Sequence, residues 1–267
     1  MPEYRFVQVD AFADRPFVGN PAAVVLLDRW LPDGMLQAIG EENNLAETAF
    51  LVPATDGDAD YELRWFTPTV EIALCGHATL ASGHVLIGGR DEIRFSTRKA
   101  GVLVVRRGEA GALELDLPQT LVRRGDDAAL LRALGTPDAE VHPSHEGAEA
   151  TAIVLLSGEA AVRACAPDMA ALRGIDLMAI VTAPADVGRD YDVVSRVFVP
   201  AWGVDEDPVT GSAHAALAPF WTKRLGRARF TAYQASRRGG LVGCRIEGAR
   251  AVLGGRCVTV IEGRLSL

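Results

Sequence analysis

Hydrophobic and polar positions change over short distances through most of the chain. Residues 5–12, RFVQVDAF, alternate in places, and 21–28, PAAVVLLD, form an apolar run after the turn signal GNP. Residues 47–54, ETAFLVPA, and 61–69, YELRWFTPT, predict strands on either side of a polar TDGDAD turn. Residues 92–118 predict three more, separated by glycine-containing turns. In the second half, 150–158, 178–185 and 191–202 predict strands, and 243–267 predicts strand, turn, strand. Helical spacing is rarer. One helix is predicted over 30–44, opened by Pro32–Asp33 and closed by Asn43–Asn44, with shorter ones over 126–135 and 166–175. The most polar stretch, 118–150, is the candidate domain junction.

Two segments break this style. CGHATLASGHVLIGG begins at Cys75, and TGSAHAALAPFWTKRLG begins at Thr210. Both fit G-x-A-x-x-A, through Gly76, Ala78 and Ala81 in one and Gly211, Ala213 and Ala216 in the other. Each follows an extended run ending in a proline-containing loop. The match predicts an internal duplication. A helix of small residues has a thin waist that backbone can approach closely, and one that is apolar nearly all round is buried. Two domains follow, each a sheet curved around one such helix.

The chain length of 267 residues suits two domains of about 130 residues. A hydrophobic fraction of 49% and a charged fraction of 23% are globular values. The net charge of −8, without a basic stripe, argues against nucleic acid and anionic membrane as partners. No apolar run reaches the roughly 18 residues of a membrane span, and MPEYRFVQVDAF has no secretory pattern, so a cytoplasmic location is expected. Cys75, Cys165, Cys244 and Cys257 form no CxxC pair and are expected as buried thiols, with no metal site. The HPSH run at 142–145 is interrupted by Pro143. GxSxG, P-loop and GxGxxG fingerprints are absent, which leaves Ser212 little claim as a nucleophile.

The candidate chemistry gathers at the two helix starts. Free N–H groups and the helix dipole make such a start an anion site. Gly76 and Gly211 permit close approach, and Thr210 and Ser212 add hydroxyls; Thr210 is equally an ordinary N-cap. Glu206 and Asp207 either complement the helix dipole or act on a ligand. Glu47 lies where a polar turn meets an apolar strand; it is either solvated at the strand edge or desolvated and suited to moving protons. His77 follows Gly76, and His84 lies two helical turns on, about 10 Å away, too far to share a metal.

Taken together, FVGNPAAVVLL, NLAETAFL, RWFTPTVEIALCGHATLASGHVL, GVDEDPVTGSAHAALAPFW and QASRRGGLV resemble the PhzF family of phenazine-biosynthesis-like isomerases, from about residue 6 to about 263. The resemblance implies an α+β, diaminopimelate epimerase-like fold. Two pseudo-symmetric domains, each a curved, barrel-like and mostly antiparallel sheet around a central helix, would flank the active site. Residues 1–117 plus about 252–267 would form the first domain and 118–251 the second. It further implies a cofactor-independent isomerase acting on a small carboxylate-bearing metabolite, as the family's defined member does on a dihydro-hydroxyanthranilate. Glu47 would be the general acid/base in the interdomain cleft, with His77 and Asp207 beside it. Asn20, Gly76, Thr210, Gly211 and Ser212 would bind substrate, and family members are often homodimers. Two further readings stay open: an epimerase or racemase, for which Cys75 is suggestively placed although DPVTGSAH offers no second thiol, and a non-catalytic binding protein.

Overall fold

A computed structural model describes residues 2–55, 57–144 and 150–267; His145 of the HPSH run lies outside them. In chain order the elements are β1 (Glu3–Ala11), β2 (Asn20–Leu26), α1 (Asp33–Asn43), β3 (Glu47–Pro53), β4 (Tyr61–Phe66), β5 (Glu71–Ile72), α2 (Gly76–Leu86), β6 (Glu92–Thr97), β7 (Val102–Arg107) and β8 (Leu113–Pro118). There follow α3 (Ala128–Ala133), β9 (Glu140–Ser144), β10 (Thr151–Leu155), α4 (Glu159–Ala164), α5 (Met169–Arg173), β11 (Met178–Pro184), β12 (Val193–Val199), β13 (Val204–Asp207) and α6 (Gly211–Leu225). The last are β14 (Arg229–Gln234), β15 (Gly240–Glu247), β16 (Arg250–Gly255) and β17 (Cys257–Ser266). The fold is α+β. Two compact units divide the chain, Met1–Asp116 with Gly254–Leu267, and Leu117–Leu253.

In the first unit the strand order is β17-β1-β2-β3-β4-β6-β7-β8, with β5 a short hairpin partner of β4. The β2–β3 and β4–β6 pairs are parallel and the others antiparallel. Helix α2 packs against β1 and β17 at one end of this order and against β7 near the other, so the sheet wraps around it. Most core positions of α2 are small, Ala78, Thr79, Ala81, Ser82 and Gly83, with Leu80 and His77 the larger buried ones. Its two buried hydroxyls are satisfied inside the helix: Thr79 Oγ1 donates to the Cys75 carbonyl at 2.5 Å and Ser82 Oγ to that of Ala78 at 2.8 Å. Gly83 lets β7 come close, since a Cβ there would lie 2.5 Å from Val105 Cγ1.

The second unit repeats the scheme. Its order is β9-β10-β11-β12-β14-β15, with β13 on β12, and again two pairs, β10–β11 and β12–β14, are parallel. Helix α6 packs on β10 and β15, strands far apart in that order. Pro219 lies within α6 and has no N–H to give the Ala215 carbonyl; that carbonyl accepts Thr120 N–H instead, at 3.2 Å. The helix therefore continues through its proline without an orphaned acceptor.

The duplication extends to side chains. Arg64 on β4 grips Glu71 on β5 with two 2.8 Å hydrogen bonds, and its guanidinium lies 5.1 Å from the Phe66 ring. Arg196 on β12 grips Glu206 on β13 at 2.7 and 3.0 Å, 4.9 Å from the Phe198 ring. Each glutamate lies five residues before the glycine that starts the central helix. Each clamp thus ties down the loop feeding one helix start.

Local expectations were met unevenly. Helix α1 begins at Asp33 and ends on Asn44 in the left-handed conformation (φ 46°), the closing signal expected there. The tail holds three strands rather than two, and β9, α4, β13 and β14 come from stretches without clear periodicity.

Candidate active site

In the first unit three strand and helix starts converge. Gly19 (φ +69°) makes the turn before β2, where a Cβ would meet the Ala11 carbonyl oxygen at 2.2 Å. It delivers Asn20, fully buried, as the first residue of β2. Glu47 is the first residue of the parallel neighbour β3, and the preceding turn is pinned by Asn43 Nδ2 donating to Thr48 Oγ1 at 3.0 Å. Cys75 occupies the N-cap position of α2, Gly76 opens it, and His77 follows.

The side chains meet. His77, 5% exposed, places Nε2 2.8 Å from Glu47 Oε2. That distance is an ion-pair contact lying off the line of the ring N–H; Oε2 is buried and accepts no aligned hydrogen bond among the described residues. Asn20 Nδ2 lies 3.2 Å from Nδ1 of the same ring. With the amide donating, Nδ1 accepts and the ring is the neutral Nε2–H tautomer; in the imidazolium both ring nitrogens donate and the amide presents its oxygen to Nδ1. Cys75 Sγ lies 3.5 Å from His77 Nδ1.

Burial pulls the His77 pKa down, but the charges of Cys75 and Glu47 and their contacts to the ring outweigh it and hold the imidazole well above its ordinary range. Burial, then the nearby Glu47 charge, push the Cys75 thiol up to about 11. Cys75 is therefore a neutral thiol at pH 7. One ligand atom each from Glu47, Cys75 and His77 lie within 4.8 Å of one another, close enough to hold a cation.

In the second unit Asp207 ends β13, Thr210 is at the N-cap position of α6, and Gly211 and Ser212 open the helix. Thr210 caps by position but not by side chain: its hydroxyl donates to Asp207 Oδ2. Its carbonyl accepts from His214 Nδ1 at 2.7 Å, the counterpart of Thr79 on the Cys75 carbonyl. Burial lowers the His214 pKa to about 4, so its ring is neutral, and its Nε2 has no hydrogen-bond partner among the described residues. Glu206 points to Arg196 and is taken up by the clamp. Ser212 Oγ has a weak contact of 3.9 Å with Met178 Sδ.

The predicted residues thus form two sets. Asn20, Glu47, Gly76 and His77 gather at the start of α2, and Asp207, Thr210, Gly211 and Ser212 at the start of α6. Residue-level reasoning missed Gln234 and His214. Both stood inside quoted motifs, His214 four residues after Thr210 and Gln234 at the head of QASRRGGLV, but no local pattern said that the Gln234 amide reaches back to Thr210.

The two sets are not copies. The parallel register aligns Ala22 with Glu47 in the first unit and Thr151 with Met178 in the second. Met178 thus holds the place of Glu47, Ser212 that of His77 and Thr210 that of Cys75.

A duplicated unit in which each half wraps a central helix defines the epimerase-like class of α+β folds. The likeness reaches a hydroxyproline epimerase from Agrobacterium vitis, with a TM-score of 0.63 at 14% identity, covering 99% of this chain and 93% of that one, a match of fold alone. A crystal structure of a PhzF-family phenazine biosynthesis protein from Enterococcus faecalis superposes with a TM-score of 0.90 at 41% identity, covering all of both chains. A Pseudomonas aeruginosa protein named uncharacterized isomerase PA3578 is 47% identical over 270 residues, 99% of each chain. The family model described as phenazine biosynthesis-like protein matches residues 9–263. The chain belongs to this phenazine biosynthesis-like family and is an isomerase. No helix among the described residues is long and apolar enough to cross a membrane.

Proposed function

We propose that this isomerase moves a proton between carbons of a small carboxylate-bearing metabolite, with Glu47 as the general acid/base. The observation that carries the reading is the 2.8 Å pair of Glu47 Oε2 and His77 Nε2, present in one unit and replaced by Met178 and Ser212 in the other. A two-base racemase needs a proton carrier on each side of its carbon. Among the described residues the Glu47–His77 pair has Met178 and Ser212 as its counterparts in the second unit, which cannot carry a proton in the same way.

In the proposed step Glu47 takes a proton from a carbon next to a conjugated system, and the C–H electron pair passes into that system. The resulting carboxylic acid returns the proton to a different carbon, so a double bond shifts with no net oxidation. His77 stabilises the carboxylate before the first transfer and after the second. Asn20 serves either state of the ring: its amide NH2 donates to Nδ1 of the neutral imidazole, and turned over, its oxygen accepts from the imidazolium. The first-turn amides at Gly76 are proposed to hold the substrate's polar groups, and Asp207, Thr210, Gly211 and Ser212 are proposed as the binding residues of the second unit.

Turnover by Glu47→Gln and Cys75→Ala, measured side by side, tests this. The reading expects the first to lose proton transfer while still binding ligand, and the second to keep it. Loss of turnover in Cys75→Ala with Glu47→Gln active would replace the carboxylate with the thiol.

A further inference from the structure

Gln234 is the last residue of β14 and has no exposed surface. Its amide is committed to the turn between Asp207 and α6. Oε1 accepts from Thr210 N–H at 2.9 Å, and Nε2 donates to the Asp207 carbonyl at 2.7 Å and to Thr210 Oγ1 at 3.2 Å. The partners fix which end of the amide is which, because a backbone N–H can only donate and a carbonyl can only accept.

That orientation sets another. Thr210 Oγ1 receives a hydrogen from Gln234 Nε2, which leaves its own single proton to give, and it faces Asp207 Oδ2. The chain of donors therefore runs one way, from Gln234 through Thr210 to the Asp207 carboxylate. The Thr210 carbonyl is held in turn by His214, so every polar group of Thr210 is engaged.

The first unit supplies a comparison. Register pairs Ser195 with Gln234 in the second unit and Leu63 with Thr97 in the first, so Thr97 stands in the place of Gln234. Thr97 spends its hydroxyl locally, on the Gly101 carbonyl at 2.8 Å and Ala100 N–H at 2.9 Å. The fold forms once without a glutamine at this place, so the scheme of strands does not require one. What differs is the helix start served: Cys75 caps α2, and the Asp207–Thr210 turn precedes α6.

We propose that Gln234 is a positioning residue that aims the Thr210 hydroxyl at Asp207 and holds the 207–210 turn for the isomerase reaction. This rests on the reading of Asp207 as a site residue.

The test compares wild type, Gln234→Met and, as a control, Thr97→Val, each first shown to be folded by its thermal transition. Two readouts are taken: the Asp207 carboxyl 13C signal by NMR, which needs no substrate, and kcat and KM on any compound of a carboxylate panel that wild type converts. Gln234→Met is expected to move the Asp207 signal and lower kcat about 10- to 100-fold, the scale of a small misplacement, with KM changed little. Thr210→Val should lower kcat similarly, and the double variant should be no worse than either alone. Thr97→Val should leave signal and kcat as in wild type. An unmoved Asp207 signal in folded Gln234→Met overturns the proposal, as does unchanged kcat. A wild type that converts nothing on the panel counts against the acid/base reading, and the Asp207 signal then decides the Gln234 proposal alone.

Discussion

Replacing Gly83 by alanine tests why the central helix is made of small residues. The new Cβ would sit 2.5 Å from Val105 Cγ1, 2.8 Å from its Cβ and 3.1 Å from its Cγ2. Ordinary carbon contacts begin near 3.5 Å. Val105 is fully buried and β-branched, so it cannot swing aside at low cost. Overpacking of this kind costs about 1–3 kcal/mol, and better helix propensity returns up to about 1 kcal/mol. The net expectation is a loss of about 1–2 kcal/mol, or a Tm lower by about 2–8 °C. Val105→Ala alone should cost about 2 kcal/mol through lost methyls and the cavity they leave. In the double variant the γ-methyl contacts at 2.5 and 3.1 Å are gone while the 2.8 Å contact with the retained Cβ stays, so the combined cost should fall short of the sum by about 1 kcal/mol. Calorimetric unfolding of the four proteins reads this directly. A Gly83→Ala protein as stable as wild type, or strictly additive costs, would refute the close-approach explanation.

Other expectations follow from single groups. Burial works against ionisation of Glu159, but Asp186 N–H, Tyr191 OH and Arg163 overcome it and hold its pKa at about 2. Because the folded value is depressed, its contribution is complete above the ordinary value of 4.5 and is lost as pH falls from there toward about 2. That contribution is about 3 kcal/mol, so Glu159→Gln should flatten the acid side of the stability–pH curve, measured by denaturant titration. Cys75, neutral with a pKa near 11, should resist alkylation by iodoacetamide at pH 7.5 in the folded protein; rapid labelling would show a thiolate there. Arg64, with its side chain 2% exposed, holds Glu71 and Asp33, and Arg64→Gln should cost about 3 kcal/mol in urea unfolding. A change below about 1 kcal/mol would mean the clamp is not a stabilising element.

What the sequence made visible was whatever has a local cause. The paired Gly-x-Ala-x-x-Ala runs betrayed both central helices because close packing demands small residues at helical spacing. The α1 ends were marked by Pro32–Asp33 and Asn44. The duplication proved deeper than its motif: the Arg64–Glu71 and Arg196–Glu206 clamps repeat it, but the arginines stand 12 and 15 residues before their helix glycines, so no fixed-period template aligns them. The alignment of Met178 with Glu47 is a matter of strand register and needs a three-dimensional pairing to be seen. Gln234 is hidden for the same reason, since nothing near it in sequence says that its amide reaches back to Thr210. Glu206 shows the opposite limit: an acid at a helix start suggested ligand or dipole chemistry, and it is the partner of a partly buried arginine.

The most direct test of Glu47 as the proton carrier is solvent-deuterium incorporation in heavy water, followed by mass spectrometry. Dihydro-hydroxyanthranilate and a panel of unsaturated and amino carboxylates would be offered to wild type and to Glu47→Gln, with binding checked by calorimetry. Deuterium fixed at carbon by wild type, and absent with a Glu47→Gln protein that still binds the same compound, is the predicted result. Equal labelling by the two proteins would contradict it.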